Sequence, residues 1–136
     1  RMGDPECQTI LPRLKTDFGT IVDACIKKKL NSLKLEWDNQ KSLCIVLCSN
    51  GYPEEYKKNI QIKNLDKIIL DDNEYIFHAG TKKSNSIILS DGGRVLNFVM
   101  KSNNFKSSRN KIIKLIDRLN WEDGFYRKDI GYKVID

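Results

Sequence analysis

The chain has 136 residues, 40% hydrophobic and 31% charged, which gives room for one ordinary domain plus a short appendage and excludes a disordered polymer. No apolar run approaches the roughly 18 residues that span a bilayer, and no secretory leader opens the sequence, so no membrane association and a cytoplasmic setting are expected. The net charge of +6 admits anionic partners, but the lysines are scattered rather than striped, which argues against a nucleic-acid interface.

In chain order, the first ten residues read as a loop of the kind that lines an active site, and because Arg1 is not an initiator methionine a fragment is expected. Thr16 can cap a helix whose apolar positions Phe18, Ile21, Val22, Cys25, Ile26 and Leu30 recur at helical spacing, ending near Asn31. Lys27-Lys28-Lys29 falls at its end, where cations meet solvent and the favourable pole of the helix dipole. Leu33–Gln40 reads as a connector between two units. The run Leu43–Leu47 suits a strand buried on both faces, and Gly51-Tyr52-Pro53 turns the chain. Ile60–Ile62, Tyr75–His78 and Ser86–Leu89 are strand candidates, the last two joined by a polar connection over Gly80–Asn85. Asp91-Gly92-Gly93 is a tight turn into Val95–Met100, a plausible hairpin partner for Ile87–Leu89. A second helix is predicted from Phe105 to Asn120, with Ile112, Ile113, Ile116 and Leu119 on one face. A loop over Phe125–Gly131 and a short strand, Tyr132–Ile135, follow. The expected class is α+β, with strands predominating in the second unit.

The cysteines, Cys7, Cys25, Cys44 and Cys48, lack the paired spacing of a zinc site, and His78 is the one histidine, so no metal ligands are expected in this chain. In a strand, Cys44 and Cys48 would stand about 13 Å apart, beyond sharing a metal or a disulfide. The cysteines read as buried, reduced thiols acting as small hydrophobes.

Several segments, taken together, resemble one family. Arg1-Met2-Gly3-Asp4-Pro5-Glu6-Cys7-Gln8 resembles the signature octapeptide of phosphoribosylamine–glycine ligases, members of the ATP-grasp superfamily. Phe77-His78-Ala79-Gly80-Thr81, Asp91-Gly92-Gly93-Arg94-Val95-Leu96 and Tyr126-Arg127-Lys128-Asp129-Ile130-Gly131 resemble further segments of that family in the same order, and the Gly51-Tyr52-Pro53 turn fits. Met2 stands where the family has phenylalanine or leucine, and Cys48-Ser49 replaces smaller residues at the strand end.

The resemblance implies the C-terminal portion of a ligase that joins glycine to 5-phosphoribosylamine in purine biosynthesis. ATP would phosphorylate the glycine carboxylate, and the amine would attack the resulting glycyl phosphate, giving glycinamide ribonucleotide, ADP and phosphate. Residues 1–36 would be the end of the ATP-grasp domain (a loop plus a helix) and residues 37–136 the C-terminal domain. ATP and Mg2+ would be the cofactors, with the nucleotide site and the magnesium-binding residues upstream of Arg1. The missing N-terminal portion is thus an expected partner, and the isolated fragment is expected to be inactive.

Within that frame Arg1 suits a catalytic and substrate-binding role, because a fixed guanidinium stabilises charge developing on carboxyl and phosphoryl oxygens. Gly3 would let backbone approach a ligand. Asp4 could accept hydrogen bonds from the glycine ammonium, or from N–H groups of the turn at Pro5; Glu6 reads as capping or orienting the loop. Arg127 and Lys128 offer a fork and a mobile ammonium for the substrate phosphate, against the alternative of a surface pair with Asp129. His78 reads as a satisfied strand residue rather than a base, and Gly92-Gly93 as a hairpin turn, with Arg94 a weaker ligand candidate. Trp37 and Trp121 lack the basic and aromatic surroundings of a base-stacking platform. The rival reading is a non-catalytic regulatory or interaction domain derived from the ligase; a Glu-x-Asn directly before Arg1 would favour the enzyme.

Overall fold

The computed structural model describes residues 2–135 and has the expected α+β architecture. Its centre is a four-stranded antiparallel sheet in the order β2 (Glu74–His78), β5 (Arg94–Ser102), β1 (Lys41–Ser49), β6 (Gly124–Phe125). Leu43, Ile45 and Leu47 of β1 lie opposite Met100, Phe98 and Leu96 of β5, so these side chains share one face. Onto that face packs α3 (Phe105–Leu119), presenting Ile112, Leu115, Ile116 and Leu119. Phe98 is wholly enclosed, and burial of such a side chain stabilises the fold by about 1.5–3 kcal/mol. Asn104 caps α3 by accepting from the Ser107 amide at 2.7 Å, and Asn120 closes it in the left-handed region at φ 47°.

The second face of the sheet is only partly covered, which corrects the expectation that β1 is buried on both sides. Ser42, Cys44 and Val46 are half-buried, because only the short helix α1 (Glu6–Ile10) and the 3-10 turn Leu11–Arg13 lie over them. The opening residues are therefore not an open loop: a Gly3–Pro5 turn leads straight into α1. The helix α2 (Phe18–Ile26) starts at Asp17 rather than Thr16, since the Asp17 carboxylate accepts from the Thr20 amide at 2.7 Å. It stops short of Asn31: Lys27 is the C-cap and the next residue, Lys28, is left-handed (φ 55°), with Lys29 N–H bonded to Ala24 C=O and Lys28 N–H to Cys25 C=O. No residue of α2 is buried. The connector folds back, with a bridge from Trp37 to Leu14, the Asp38 amide donating to the Arg13 carbonyl and the Arg13 guanidinium donating to the Asp38 carbonyl.

Four further expectations are corrected. The polar stretch after Gly80 is a strand, β3 (Thr81–Ser84), paired with β4 (Ile87–Ser90) through a two-residue turn whose Asn85 and Ser86 both have positive φ. Val95–Met100 consequently pairs with β1 and β2, and not with Ile87–Leu89. Residues 132–134 form a 3-10 turn instead of a strand, because Gly131 at φ 82° starts a tight turn with Val134 N–H bonded to Gly131 C=O. Ile60–Ile62 contributes one bridge, Gln61 to Leu89. Finally, Cys48 alone among the cysteines is buried; Cys25 is exposed, Cys7 and Cys44 are half-buried, and all are free.

Candidate functional site

The site is built where the N-terminal turn meets the second face of the sheet. The Cys7 amide donates to the Gly3 carbonyl at 2.9 Å and the Thr9 amide to the Pro5 carbonyl at 3.2 Å, so Asp4 is held at the mouth of α1. A Cβ on Gly3 would meet only the mobile end of the Glu6 side chain. One oxygen of Asp4, Oδ1, accepts from Gln8 Nε2 at 3.0 Å and from Asn97 Nδ2 at 2.9 Å. The other, Oδ2, faces Arg94 Nε at 3.3 Å. Gln8 reaches Asp4 from four residues on, the spacing of neighbouring turns. Asn97 reaches it because side chains alternate along β5: Leu96 and Phe98 turn into the core, and Asn97 turns to the α1 face.

Asn97 is wholly enclosed, and its Oδ1 is buried without a partner, as is Gln8 Oε1. The Asp4 and Arg94 side chains by contrast stay 33% and 43% exposed, so the pair forms the open lip of a cluster with an enclosed floor. Two thiols lie nearby. Burial pushes Cys44 up to about 12, with a Thr9 hydrogen bond opposing and the Asp4 charge adding to the rise. Burial likewise raises Cys48, against the pull of Arg94. Neither is a nucleophile at neutral pH.

Arg94 is delivered to the site by close backbone packing. The Asp91 and Gly92 amides both donate to the Gly80 carbonyl, at 2.7 and 3.1 Å, and the Gly80 amide donates to the Arg94 carbonyl at 2.8 Å. A Cβ on Gly80 would lie 2.6 Å from Gly92 Cα and 2.6 Å from the Arg94 carbonyl. One on Gly93 would enter the Tyr52 ring. The glycines thus serve close approach, and Ser49 Oγ ties down the Gly92 carbonyl at 2.9 Å. His78 is exposed and contacts Thr81 Oγ1 through Nδ1 at 2.9 Å, which matches its reading as a satisfied strand-end residue.

The remaining candidates lie elsewhere. Arg127 makes a two-pronged contact with Asp129, at 3.1 and 2.6 Å, with both side chains largely exposed. Each holds the other charged: the Asp129 carboxylate raises Arg127, and Arg127 lowers Asp129. The carbonyls of Lys128 and Ile130 accept from Arg109 of α3. Lys128 borders an open groove of about 390 Å³ with Leu47, Ile116, Trp121 and Tyr126. That groove is on the α3 side, so the structure joins Asp4 to Arg94 but does not bring Arg127 or Lys128 to them. Arg1 lies outside the described residues.

Sequence reading missed Gln8 and Asn97 as site residues. Gln8 was signalled by its helical spacing from Asp4, and Asn97 by being the polar interruption of the apolar run Val95–Met100.

Comparison with known proteins places these features in context. The family described as phosphoribosylglycinamide synthetase, C domain, matches residues 42–133. The chain is 42% identical over 131 residues to a phosphoribosylamine–glycine ligase of Caldanaerobacter subterraneus subsp. tengcongensis, covering 96% of the chain and 31% of the relative. It is 35% identical over 136 residues to the same-named enzyme of Brucella melitensis, covering 100% of the chain and 32% of the relative. The crystal structure of a phosphoribosylamine–glycine ligase from Thermotoga maritima superposes with a TM-score of 0.67 at 26% identity, covering 96% of this chain and 32% of that one. The chain therefore spans about a third of the length of the curated relatives it matches.

Proposed function

The chain belongs to the phosphoribosylglycinamide synthetase C-domain family, and from that membership we propose that it is the C-terminal portion of an ATP-dependent ligase joining glycine to 5-phosphoribosylamine. The products are glycinamide ribonucleotide, ADP and phosphate, in de novo purine biosynthesis. One observation carries the reading from family to site: Asp4 of the N-terminal octapeptide is anchored on Asn97 and paired with Arg94, both within the family-matched sheet.

In this reading residues 1–36 end the ATP-grasp domain and residues 37–136 form the C-terminal domain. Asp4 accepts the ammonium of glycine, Gly3 leaves room beside it, and Arg1 steadies developing negative charge. Arg127 and Lys128 take the 5′-phosphate; the exposed Asp129 partner leaves the guanidinium free to exchange onto a doubly charged ligand. The described residues gather no group of three or more His, Cys, Asp or Glu suited to a metal ion. Family membership, and not any feature of these residues, assigns ATP and Mg2+ to the preceding portion of the ligase. Among the described residues no helix is long and apolar enough to cross a membrane, and a cytoplasmic setting is part of the same proposal.

A second reading, a non-catalytic interaction domain, draws support from α2, which exposes Phe18, Val22 and Ile26 along one side. ADP release by the complete polypeptide separates the two. The ligase requires glycine and phosphoribosylamine together and loses turnover in Arg1→Ala and Arg127→Ala; an interaction domain shows no substrate-dependent release.

A further inference from the structure

We propose that Asn97, assisted by Gln8, is a positioning residue that holds the Asp4 carboxylate in its working orientation; this rests on the ligase reading above. A carboxylate on a surface turn ordinarily rotates freely. Here two amide donors, at 2.9 and 3.0 Å, fix Oδ1 from inside, and only Oδ2 is left toward Arg94 and the exposed lip. The amide that does most of this comes from the most enclosed part of the molecule, since Asn97 has no exposed surface at all.

Packing alone does not call for an asparagine at that place. Its neighbours on β5, Val95, Leu96, Phe98, Val99 and Met100, are all buried and apolar. A buried amide is favourable when each of its polar atoms is paired. Asn97 pairs its Nδ2 and leaves Oδ1 buried without a partner, and Gln8 repeats the pattern with Oε1. Two half-satisfied amides aimed at one carboxylate are a cost that an apolar pair would avoid, and what they gain is a fixed Asp4. Groups that orient a reacting or binding residue have this character, because small misplacements of a substrate contact are felt strongly in turnover.

The test separates this role from a structural one. In the complete ligase, Asn97→Leu keeps the branched shape and the number of heavy atoms, with a larger volume, and removes both the donor and the orphan acceptor. The expected result is an unchanged or raised melting temperature, with kcat/KM for glycine lowered on the order of tenfold or more and KM for ATP unmoved. Asp4→Asn lowers the same quantity, and the double variant loses no more than Asp4→Asn alone, because Asn97 acts through Asp4. Should Asn97→Leu fail to fold, Gln8→Leu on the rim of the cluster reads the same coupling. A normal glycine kcat/KM in Asn97→Leu and Gln8→Leu, or additive losses in the double variant, overturns the inference while leaving the ligase standing. Absence of substrate-dependent ADP release in the unsubstituted enzyme overturns the ligase reading itself.

Discussion

Asn97, enclosed in the middle of the central strand, donates its side-chain amide to Asp4 across 93 residues of sequence at 2.9 Å. That bond fastens the N-terminal turn to a sheet whose other face is filled by α3. It makes the turn's position a property of the core.

Removing the acceptor therefore reaches the core. Asp4→Ala leaves the Asn97 amide buried without a partner, which costs about 1–3 kcal/mol. Urea unfolding of the purified chain measures it; a stability within about 0.5 kcal/mol of the unsubstituted chain would show the bond to be dispensable.

Gly80 and Gly93 differ in what a methyl group would strike. Gly80→Ala drives Cβ onto the backbone of Gly92 and Arg94, whereas Gly93→Ala meets a side chain, the ring of Tyr52. Gly80→Ala is the more damaging, by roughly 1–3 kcal/mol of overpacking. Thermal melts of the two variants should rank in that order.

The thiols should react in the order of their exposure. At pH 8 a thiol raised to about 12 is ionised in about one molecule in ten thousand, so Cys44 resists iodoacetamide in the native chain. Cys25 is exposed and is alkylated first. Peptide mapping after brief labelling checks this; early modification of Cys44 would contradict its enclosure.

The Asp38–Lys101 pair, at 2.9 Å, joins the connector to β5. Asp38 lies below its usual 3.8 because the Gln40 amide and then Lys101 bond its charged form. Its contribution is present above pH 3.8 and is lost as pH falls through the lower folded value. Lys101 is raised above 10.5, chiefly by Asp38, so its part persists below 10.5 and fades as pH climbs through the higher folded value. Asp38→Asn should thus lower the melting temperature at neutral pH, with the difference from the unsubstituted chain closing in acid. A pH-independent difference would assign the effect to packing.

Much of this was legible in the sequence because the signals were local. The long helix announces itself through Ile112, Ile116 and Leu119 and is capped by Asn104, all within one stretch. β5 is readable as an apolar run, but its partners are not, since pairing with Cys44 and Tyr75 depends on contacts far along the chain. β3 was hidden because an exposed edge such as Lys82-Lys83 carries no apolar alternation, and its turn uses Asn85-Ser86 rather than a glycine pair. Asp4 and Arg94 stand in recognisable segments. Their mutual contact and the Asn97 beneath them emerge only when the strand order is known.

Transfer of radiolabelled glycine into a phosphorylated ribonucleotide tests the central claim most directly, using the complete polypeptide with ATP and freshly generated phosphoribosylamine. Label should enter a product that co-migrates with glycinamide ribonucleotide only when all three substrates are present, and should be much reduced in Asp4→Asn. Label remaining as free glycine under every condition would contradict the ligase and leave the chain as a fold retained for another purpose.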